Sequence, residues 1–267
     1  MPEACDVRDV DLAAAGVRLD VAEAVATVTL CLPERRNAQT PRMWRALAQV
    51  GRSLAGDVRV VLLRAEGVSF SAGLDRRMFT PEGLPGEPGF GELARADDTV
   101  LDAAIAAFQE AFSWWRRDGF VSVAAVQGHA VGAGFQLALA CDLRVLGDDA
   151  QLCMRETSLG LVPDLGGTKP LVELVGYPRA LEICATGRWV RADEALRLGL
   201  AELVVPGDDL DGATRDLAAA LLAAPRDAVV ETKALLRGAA GRGYDEQRAA
   251  ERQAQARRIR DLADLGD

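Results

Sequence analysis

The order of apolar and polar residues predicts an α/β fold with a mainly parallel sheet. Two short apolar runs rich in β-branched residues, 59–64 and 121–126, are typical of strands buried inside a sheet. A helical pattern that begins at Pro41 lies before the first run, and a longer one over 97–117 lies before the second. Because strands that alternate with helices are joined by crossover connections, we expect them to pair in parallel.

The residues around these runs supply the other elements of the first half. Residues 17–20 and 25–32 alternate in the manner of paired strands, and Pro33 ends the second of them. The helix over 97–117 is amphipathic and carries four aromatic residues whose helical spacing favours packing in the core. These residues are Phe108, Phe112, Trp114 and Trp115.

Residues 80–91 lie between the strand over 59–64 and the helix over 97–117, and they hold three prolines and four glycines. Such a run cannot continue a helix or a central strand, so it is predicted to be a mobile loop. Two interpretations stay open for it. It is either a lid over a neighbouring site or a plain connector.

The second half begins with two predicted short strands, 143–145 and 151–154, and a helix that starts near Gly167. From Pro178 onward the pattern is mostly helical, apart from one strand within residues 201–206. Three helices then follow to the end of the chain.

The change to an all-helical pattern predicts how the chain is organised. We expect a core over residues 1–205 and a C-terminal helical region over residues 206–267 that is not a second independent core. The length of 267 residues is ample for one sizeable core.

Composition and charge exclude several classes of protein. Apolar residues make up 49% of the chain, and 40 acidic against 31 basic residues give a formal charge of −9, which argues against nucleic-acid binding. No apolar run approaches the roughly 18 residues of a membrane span, and the acidic residues 1–16 do not resemble a signal peptide. Five cysteines without paired spacing favour free thiols in a reducing compartment, so we expect a cytoplasmic protein.

Residues 121–142 contain the most distinctive local pattern. A buried strand passes through Gly128, Gly132 and Gly134 into an apolar helix from about Phe135. Backbone N–H groups at such a helix start are unpaired and point at one place, where an anionic oxygen can bind.

Four familiar anion-binding, catalytic or metal sites fit this segment poorly. A dinucleotide-binding turn would need a third glycine where Leu137 stands, and the lysine-containing phosphate loop is absent. The single histidine, His129, favours a structural role over that of a general base, and one histidine with scattered cysteines gives no metal cluster.

Two similar turns suggest a different chemistry. The sequences FSAGLD (70–75) and GHAVGAGF (128–135) each follow a buried strand. Glycine turns at the ends of neighbouring strands can direct two backbone N–H groups at one oxygen. That is the geometry of an oxyanion hole, in which each donor stabilises developing charge by about 3–4 kcal/mol.

Four motifs, in order and spacing, resemble the crotonase (enoyl-CoA hydratase/isomerase) family. They are FSAGLD, QGHAVGAGFQLALACD, RETSLGLVPDLGGT and RADEALRLGLAELVVP, within a match from about residue 17 to residue 240. The resemblance implies a spiral of ββα units with a C-terminal helical trimerisation region, assembled as a homotrimer or homohexamer. It also implies an acyl-CoA thioester substrate whose enolate is stabilised, with no prosthetic group and with coenzyme A present only as part of the substrate.

The resemblance also assigns roles to residues. The oxyanion donors fall on the backbone N–H groups of Leu74 and Ala133, and the flanking glycines allow close approach to a ligand. The family's coenzyme A contacts fall on five positions: Arg36, Ala38, Ala72, Asp75 and Arg76. The basic residues among 35–36 and 76–77 fit an anionic ligand, although solvated surface arginines are the alternative interpretation.

The chain departs from the family pattern at its carboxylates. Hydratases of the family hold a water between two glutamates, and these positions are Gln136 and Glu156 here. Because an amide cannot exchange a proton at neutral pH, the departure argues against straightforward hydration. Asp164 matches a position that carries a catalytic acid in several family isomerases, although an Asp in such a turn can also cap a helix.

These residues lead to one hypothesis and two alternatives. The hypothesis is proton shuttling by Glu156 and Asp164, which moves a double bond without adding water. The alternatives are hydration with Glu156 alone, Gln136 only orienting the water, and an acyl-CoA binder without activity.

The C-terminus also departs from the family, because no aromatic residue follows Tyr244. Either the pocket rim is more open than in relatives, or the arginines of the last helix replace the usual residues. Those arginines are Arg257, Arg258 and Arg260.

Overall fold

The computed structural model describes residues 10–87 and 89–264, and within them the chain forms nine strands and ten α-helices. The strands are β1 Val17–Ala22, β2 Val25–Leu30, β3 Val60–Ala65, β4 Val121–Val126, β5 His129–Val131, β6 Leu143–Gly147, β7 Gln151–Cys153, β8 Trp189–Arg191 and β9 Leu203–Val205. The helices are α1 Pro41–Ser53, α2 Phe90–Leu93, α3 Asp98–Ser113, α4 Ala133–Ala140, α5 Thr168–Val175, α6 Tyr177–Thr186, α7 Ala192–Leu198, α8 Leu210–Ala223, α9 Arg226–Ala239 and α10 Tyr244–Asp264. The predicted α/β class is confirmed.

Six strands form the main sheet in the order β1-β2-β3-β4-β6-β9. The edge strand β1 is antiparallel to β2, and the other pairs are parallel. Both faces of the sheet are buried: Val61 and Leu63 face the larger core, whereas Val60 and Leu62 face a smaller cluster that α8 covers. Two buried faces explain why these strands appear in the sequence as continuous apolar runs.

A second sheet of three strands, β5-β7-β8, was not predicted as a sheet. β5 is parallel to β7, and β8 is antiparallel to it. An isolated bridge between Ser71 and Ala130 joins the 70–75 turn to the edge of this sheet. Because β5 and β8 have only three residues each, neither shows an alternating pattern long enough to detect.

Residues 80–91 contain some ordered structure between the main elements. Leu84 is buried and forms an isolated bridge with Glu87, whose carboxylate is held by both terminal nitrogens of Arg45 at 3.0 and 2.5 Å. Phe90 begins α2 and packs its ring 4.7 Å from that of Phe79. The prediction of a mobile lid stays a prediction.

The C-terminal helices pack on the sheet and on each other. Leu210 and Ala218 of α8 are buried against the sheet. Lys233 of α9 is buried and donates hydrogen bonds to the carbonyls of Arg117 and Phe120 and to Asp142, at 2.6–2.7 Å. α10 packs on α9, and Arg257 pairs with Glu231 at 2.6 Å. The division of the chain between residues 205 and 206 stays a prediction.

Other sequence expectations concern thiols and membranes. Within the described residues, Cys31, Cys141, Cys153 and Cys184 are free thiols, whereas Cys5 lies outside them, as does most of the 1–16 segment. Among the described helices, none is long and apolar enough to cross a membrane.

Candidate functional site

The two glycine turns meet directly. The N–H of Ser71 donates to the carbonyl of His129 at 2.9 Å, and the N–H of Val131 donates to the carbonyl of Ser71 at 3.0 Å. Gly73 has a φ of +82°, and a Cβ at this position would overlap the carbonyl oxygen of Val131. Only glycine meets both conditions, so this residue sets how closely the turns approach.

Leu74 and Ala133 present free backbone N–H groups beside this contact. The residues on either side of Leu74 bond to Gln39. The N–H of Gln39 donates to the carbonyl of Gly73 at 2.7 Å, and the carbonyl of Gln39 accepts from the N–H of Asp75 at 2.8 Å. That pairing leaves the N–H of Leu74 unused. Ala133 is the first residue of α4, so its N–H has no intrahelical acceptor. Within the described residues neither N–H has an acceptor, and both residues line one cavity.

Helix α4 adds a dipole with its positive end at this cavity. At its other end, Arg116 donates to the carbonyl of Leu139 at 2.9 Å and Arg144 donates to the carbonyl of Cys141 at 3.0 Å. Arg144 is fully buried. These cations compensate the negative end of the helix in the interior, a feature that the sequence pattern did not reveal.

The cavity has a volume of about 840 Å³ and is lined mostly by apolar side chains. Helix α3 contributes Leu101, Ile105 and Phe108, and the segment before α3 contributes Phe79 and Phe90. The expectation that Phe108 belongs to the core is therefore wrong in part: its ring packs 4.9 Å from Trp44, but it also lines the cavity. The spacing of 101, 105 and 108 is a helical stripe that could have indicated this surface.

Among the described residues that line the cavity, two are carboxylates. Glu156 is buried and begins a 3-10 helix, Glu156–Leu159; a Cβ on Gly132 would lie 3.2 Å from its Oε1. Asp164 is half-buried, and its backbone carbonyl accepts from Gln109 at 2.6 Å. Burial raises the pKa of Glu156 and the pKa of Asp164 above their ordinary values.

Asp164 does not cap a helix. The following helix, α5, has Gly167 at its N-cap and no side-chain cap. The capping alternative raised by the sequence is therefore wrong, and the Asp164 side chain faces the cavity instead.

Gln136 lies behind Glu156 and not in the cavity wall. Its Nε2 donates to Oε1 of Glu156 at 2.6 Å. Its Oε1 accepts from the N–H groups of Leu165 and Gly167, at 3.0 and 3.2 Å. Two of these hydrogen bonds tie the end of α4 that faces the cavity to the 164–167 turn, and the third ties it to Glu156.

The predicted coenzyme A contacts lie together at the cavity rim. The carbonyl of Arg36 accepts from Ala72 at 2.8 Å, and Ala72 and Arg76 line the cavity itself. Ala38 follows Arg36 on the same segment, two residues along the chain. Arg36 and Arg76 are exposed, and neither forms an ion pair with a described residue.

Asp75 and its arginines form a separate cluster at this rim. Asp75 accepts two hydrogen bonds from the guanidinium of Arg77, at 3.0 and 2.8 Å, and lies 3.6 Å from Arg35. The Arg77 side chain lowers the pKa of Asp75. Two of the four arginines at positions 35, 36, 76 and 77 thus share one carboxylate, which offsets one of their two positive charges.

His129, the single histidine of the chain, is not among the residues that line the cavity. The Nδ1 atom of His129 lies 3.2 Å from the hydroxyl of Ser69, and its ring packs against Trp189, away from the cavity lining. No group of three potential metal ligands occurs within residues 10–87 and 89–264.

Known proteins resemble this chain over almost its full length. Residues 20–262 match the model of the enoyl-CoA hydratase/isomerase family. YhaR of Bacillus subtilis (strain 168), named a putative enoyl-CoA hydratase/isomerase, is 33% identical over 235 residues, which are 88% of this chain and 87% of YhaR.

Solved structures of enoyl-CoA hydratases also resemble this chain over almost its full length. One of them, a putative enoyl-CoA hydratase from Thermobifida fusca YX in complex with CoA, is 50% identical with a TM-score of 0.91, covering 96% of this chain and 98% of that one. A structure of the same description in complex with acetoacetyl-CoA is also 50% identical with a TM-score of 0.91, covering 95% and 98%.

The fold and these comparisons agree with the superfamily that the four motifs implied, the crotonase superfamily. The chain belongs to the enoyl-CoA hydratase/isomerase family.

Proposed function

We propose that the protein moves a carbon–carbon double bond within an enoyl-CoA thioester without adding water. A carboxylate removes a proton from C2 of a 3-enoyl thioester, and the electrons of the broken C–H bond move into the thioester carbonyl. The N–H groups of Leu74 and Ala133 hold the resulting enolate oxygen. A proton then returns to C4, and the double bond forms between C2 and C3.

The environment of Gln136 is the observation that carries this proposal. Its Oε1 already accepts two backbone hydrogen bonds, and its Nε2 donates to Glu156. An amide engaged in this way offers no acceptor to a water molecule and takes up no proton. Water activation between two carboxylates is therefore incomplete, whereas Glu156 and Asp164 remain at the cavity with raised pKa values that suit both taking and returning a proton.

The lining of the cavity supports an apolar acyl group. Side chains of α3 and of the 76–93 segment surround the space that the acyl chain would occupy. At the rim, the exposed Arg36 and Arg76 suit the phosphates of coenzyme A, with Ala38 and Ala72 beside them and Asp75 orienting Arg77. The related Thermobifida structures, described with CoA and acetoacetyl-CoA, support this choice of ligand.

The test is turnover of a panel of 3-enoyl-CoA thioesters by the wild type, Glu156→Gln and Asp164→Asn, with products analysed in 18O-labelled water. We expect a 2-enoyl-CoA product without the label. We also expect at least one substitution to lower kcat by a factor of about 10²–10⁴, the usual contribution of a general acid or base. If neither substitution slows turnover, carboxylate shuttling is wrong.

One observation favours hydration as a second candidate. Oε2 of Glu156 is buried without a protein partner among the described residues, so its capacity to accept a hydrogen bond is unused, and relatives carry hydratase names. Hydration would put one 18O atom into a 3-hydroxyacyl-CoA product. Binding of thioesters without any turnover would instead indicate a binder without activity.

We also propose that the protein forms a homotrimer or homohexamer, which the family relationship supports. Light scattering on the purified chain, coupled to size-exclusion chromatography, would give the mass. A monomeric or dimeric mass would contradict the proposal.

A further inference from the structure

The amide of Gln136 is fixed in one orientation by its neighbours. Two backbone N–H groups, of Leu165 and Gly167, point at one of its side-chain atoms. A backbone N–H can only donate, so the atom that faces both must be the oxygen. The nitrogen is therefore on the opposite side, where Glu156 lies.

This orientation makes the two oxygens of Glu156 different. Oε1 accepts the hydrogen bond from Gln136 at 2.6 Å, whereas Oε2 is buried and has no partner among the described residues. A buried polar atom without a partner is unfavourable, and its retention indicates a ligand or a catalytic role. Glu156 lines the cavity, and Oε2 is the carboxylate oxygen that no described residue engages.

Close packing prevents the two side chains from separating. A Cβ on Gly167 would lie 2.7 Å from Cγ of Gln136, and a Cβ on Gly132 would lie 3.2 Å from Oε1 of Glu156. The two glycines thus bring the backbone against the pair from both sides. Gln136 and Glu156 are almost completely buried, which leaves little room for another rotamer.

We infer that Gln136 is a positioning residue that holds Oε1 of Glu156 and so reserves Oε2 for the transferred proton. The inference rests on the proposed function only in taking Glu156 as the group that exchanges a proton. It applies to isomerisation and to hydration alike.

An amide suits this role better than a carboxylate would. A glutamate at position 136 would accept the hydrogen bonds of Leu165 and Gly167, which favour its ionised form. Two carboxylates at this separation would share a proton, which would strongly raise the pKa of one of them. Because the carboxylate at position 136 would be favoured in its ionised form, a smaller fraction of Glu156 would be ionised and able to act as a base.

Four other titratable groups face Glu156. Asp164, across the cavity, raises the pKa of Glu156 further, after burial. Arg155 is adjacent in the chain but donates to the carbonyl of Gly187 at 2.9 Å. Burial raises the pKa of the Cys153 and Cys184 thiols, which are neutral near pH 7. Burial is thus the largest influence on the pKa of Glu156; among the neighbouring side chains, Gln136 lowers this pKa and Asp164 raises it.

The first measurement is the titration of Glu156 by 13C NMR of carboxyl-labelled glutamate, with the signal assigned by its loss in Glu156→Gln. Gln136→Glu is expected to split the titration into two steps, the upper one at least one pH unit above the wild-type step. Gln136→Met replaces the amide by a side chain of similar length that has no hydrogen-bond donor. This variant is expected to keep a single titration step and to raise the pKa of Glu156.

The matched control is Gln127→Glu, because Nε2 of Gln127 donates to the carbonyls of Ala65 and Gly67, outside the cavity. It is expected to leave the Glu156 titration where the wild type has it. Thermal unfolding of each variant shows whether it is folded, and Gln136→Met keeps the test available if Gln136→Glu does not fold.

The second measurement is exchange of the C2 protons of butanoyl-CoA with D2O, which needs deprotonation but no net reaction. At pH 7, Gln136→Glu is expected to lose at least tenfold in exchange rate and to regain it at higher pH. Gln136→Met is expected to lose about tenfold to hundredfold at every pH, because Glu156 is misplaced.

The outcomes separate this inference from the proposed function. An unchanged Glu156 titration in both Gln136 variants, with exchange rates equal to those of Gln127→Glu, overturns the positioning role. A shifted titration in a protein that hydrates enoyl-CoA instead of isomerising it leaves the positioning role intact and overturns only the proposed reaction.

Discussion

Two glycines at the site, Gly73 and Gly132, have positive φ angles of +82° and +51° and lie where the backbone of one turn meets another part of the site. Gly73 contacts the carbonyl of Val131, and Gly132 contacts the carboxylate of Glu156. A side chain at either position would move the group that it meets. The positions of the two N–H donors and of the carboxylate therefore depend on residues that have no side-chain chemistry of their own.

Gly73→Ala is expected to lower the free energy of unfolding by at least about 2 kcal/mol, since left-handed strain and overlap with Val131 act together. The matched control is Gly83→Ala, because Gly83 has a φ of +60° but nothing within 4 Å of its Cβ position. The control is expected to cost only about 1 kcal/mol of strain. Urea unfolding measures both, and equal losses would show that close approach at Gly73 is unimportant.

Glu156 is expected to make stability fall as pH rises. Burial raises the pKa of Glu156 in the folded protein above its value in the unfolded chain, so the folded state binds more protons between the two values. Its contribution is most favourable below the unfolded pKa and is lost as pH rises through the folded pKa. Relative to the wild type, Glu156→Gln should therefore be more stable at pH 8 than at pH 4.

Urea unfolding of both proteins at the two pH values checks this expectation. Asp164→Asn, at the half-buried carboxylate of the cavity, should change stability with pH in the same direction. A difference between Glu156→Gln and wild type that is independent of pH would contradict it.

Helix α4 connects the interior to the site. Its first N–H group faces the cavity, while Arg116 and Arg144 bind carbonyls at and just beyond its other end. Asp142, which follows the helix, accepts from Ser122 and Lys233. A short apolar helix without charged residues is thus oriented by cations from three other parts of the chain.

Lys233→Met is expected to lower the free energy of unfolding by about 3 kcal/mol, because it removes a buried cation and leaves two carbonyls and Asp142 without their donor. Lys169→Met is the matched control, since Lys169 is the chain's other lysine and its pair with Glu173 is exposed. The control is expected to change stability by less than about 0.5 kcal/mol. Chemical unfolding measures the free energy of unfolding of both variants. Equal losses in Lys233→Met and Lys169→Met would contradict a structural role for Lys233.

The whole molecule carries a formal charge of −9, yet the ligand proposed for it is an anion. A negative net charge is compatible with an anionic ligand because Arg36 and Arg76 are exposed at the rim of the cavity without ion pairs to described residues. Local cations can overrule the net charge within about a Debye length.

Arg76→Gln is therefore expected to raise the Kd for free coenzyme A by about tenfold and to weaken its dependence on salt. Arg52→Gln, which removes an exposed arginine at the end of α1, is expected to change neither quantity. Calorimetric titrations at low and high salt measure both. A salt dependence that is the same in wild type and Arg76→Gln would place the anion elsewhere.

The sequence alone determined the parallel strands, the two glycine turns and the family. These features depend on residues that are neighbours in the chain: apolar runs, glycines at turn positions and motifs in order. Such patterns can be detected in the sequence because local geometry requires particular residue types at fixed spacing.

Only the tertiary structure decided how the site is assembled. Gln136 bonds to residues 20, 29 and 31 positions away, and the strands β5 and β8 are too short to show a period. Arg144 donates in the same way to the carbonyl of Leu200, 56 positions away. Contacts between distant parts of the chain leave no periodic pattern in the sequence, so the partners of Gln136 emerged only from the folded protein.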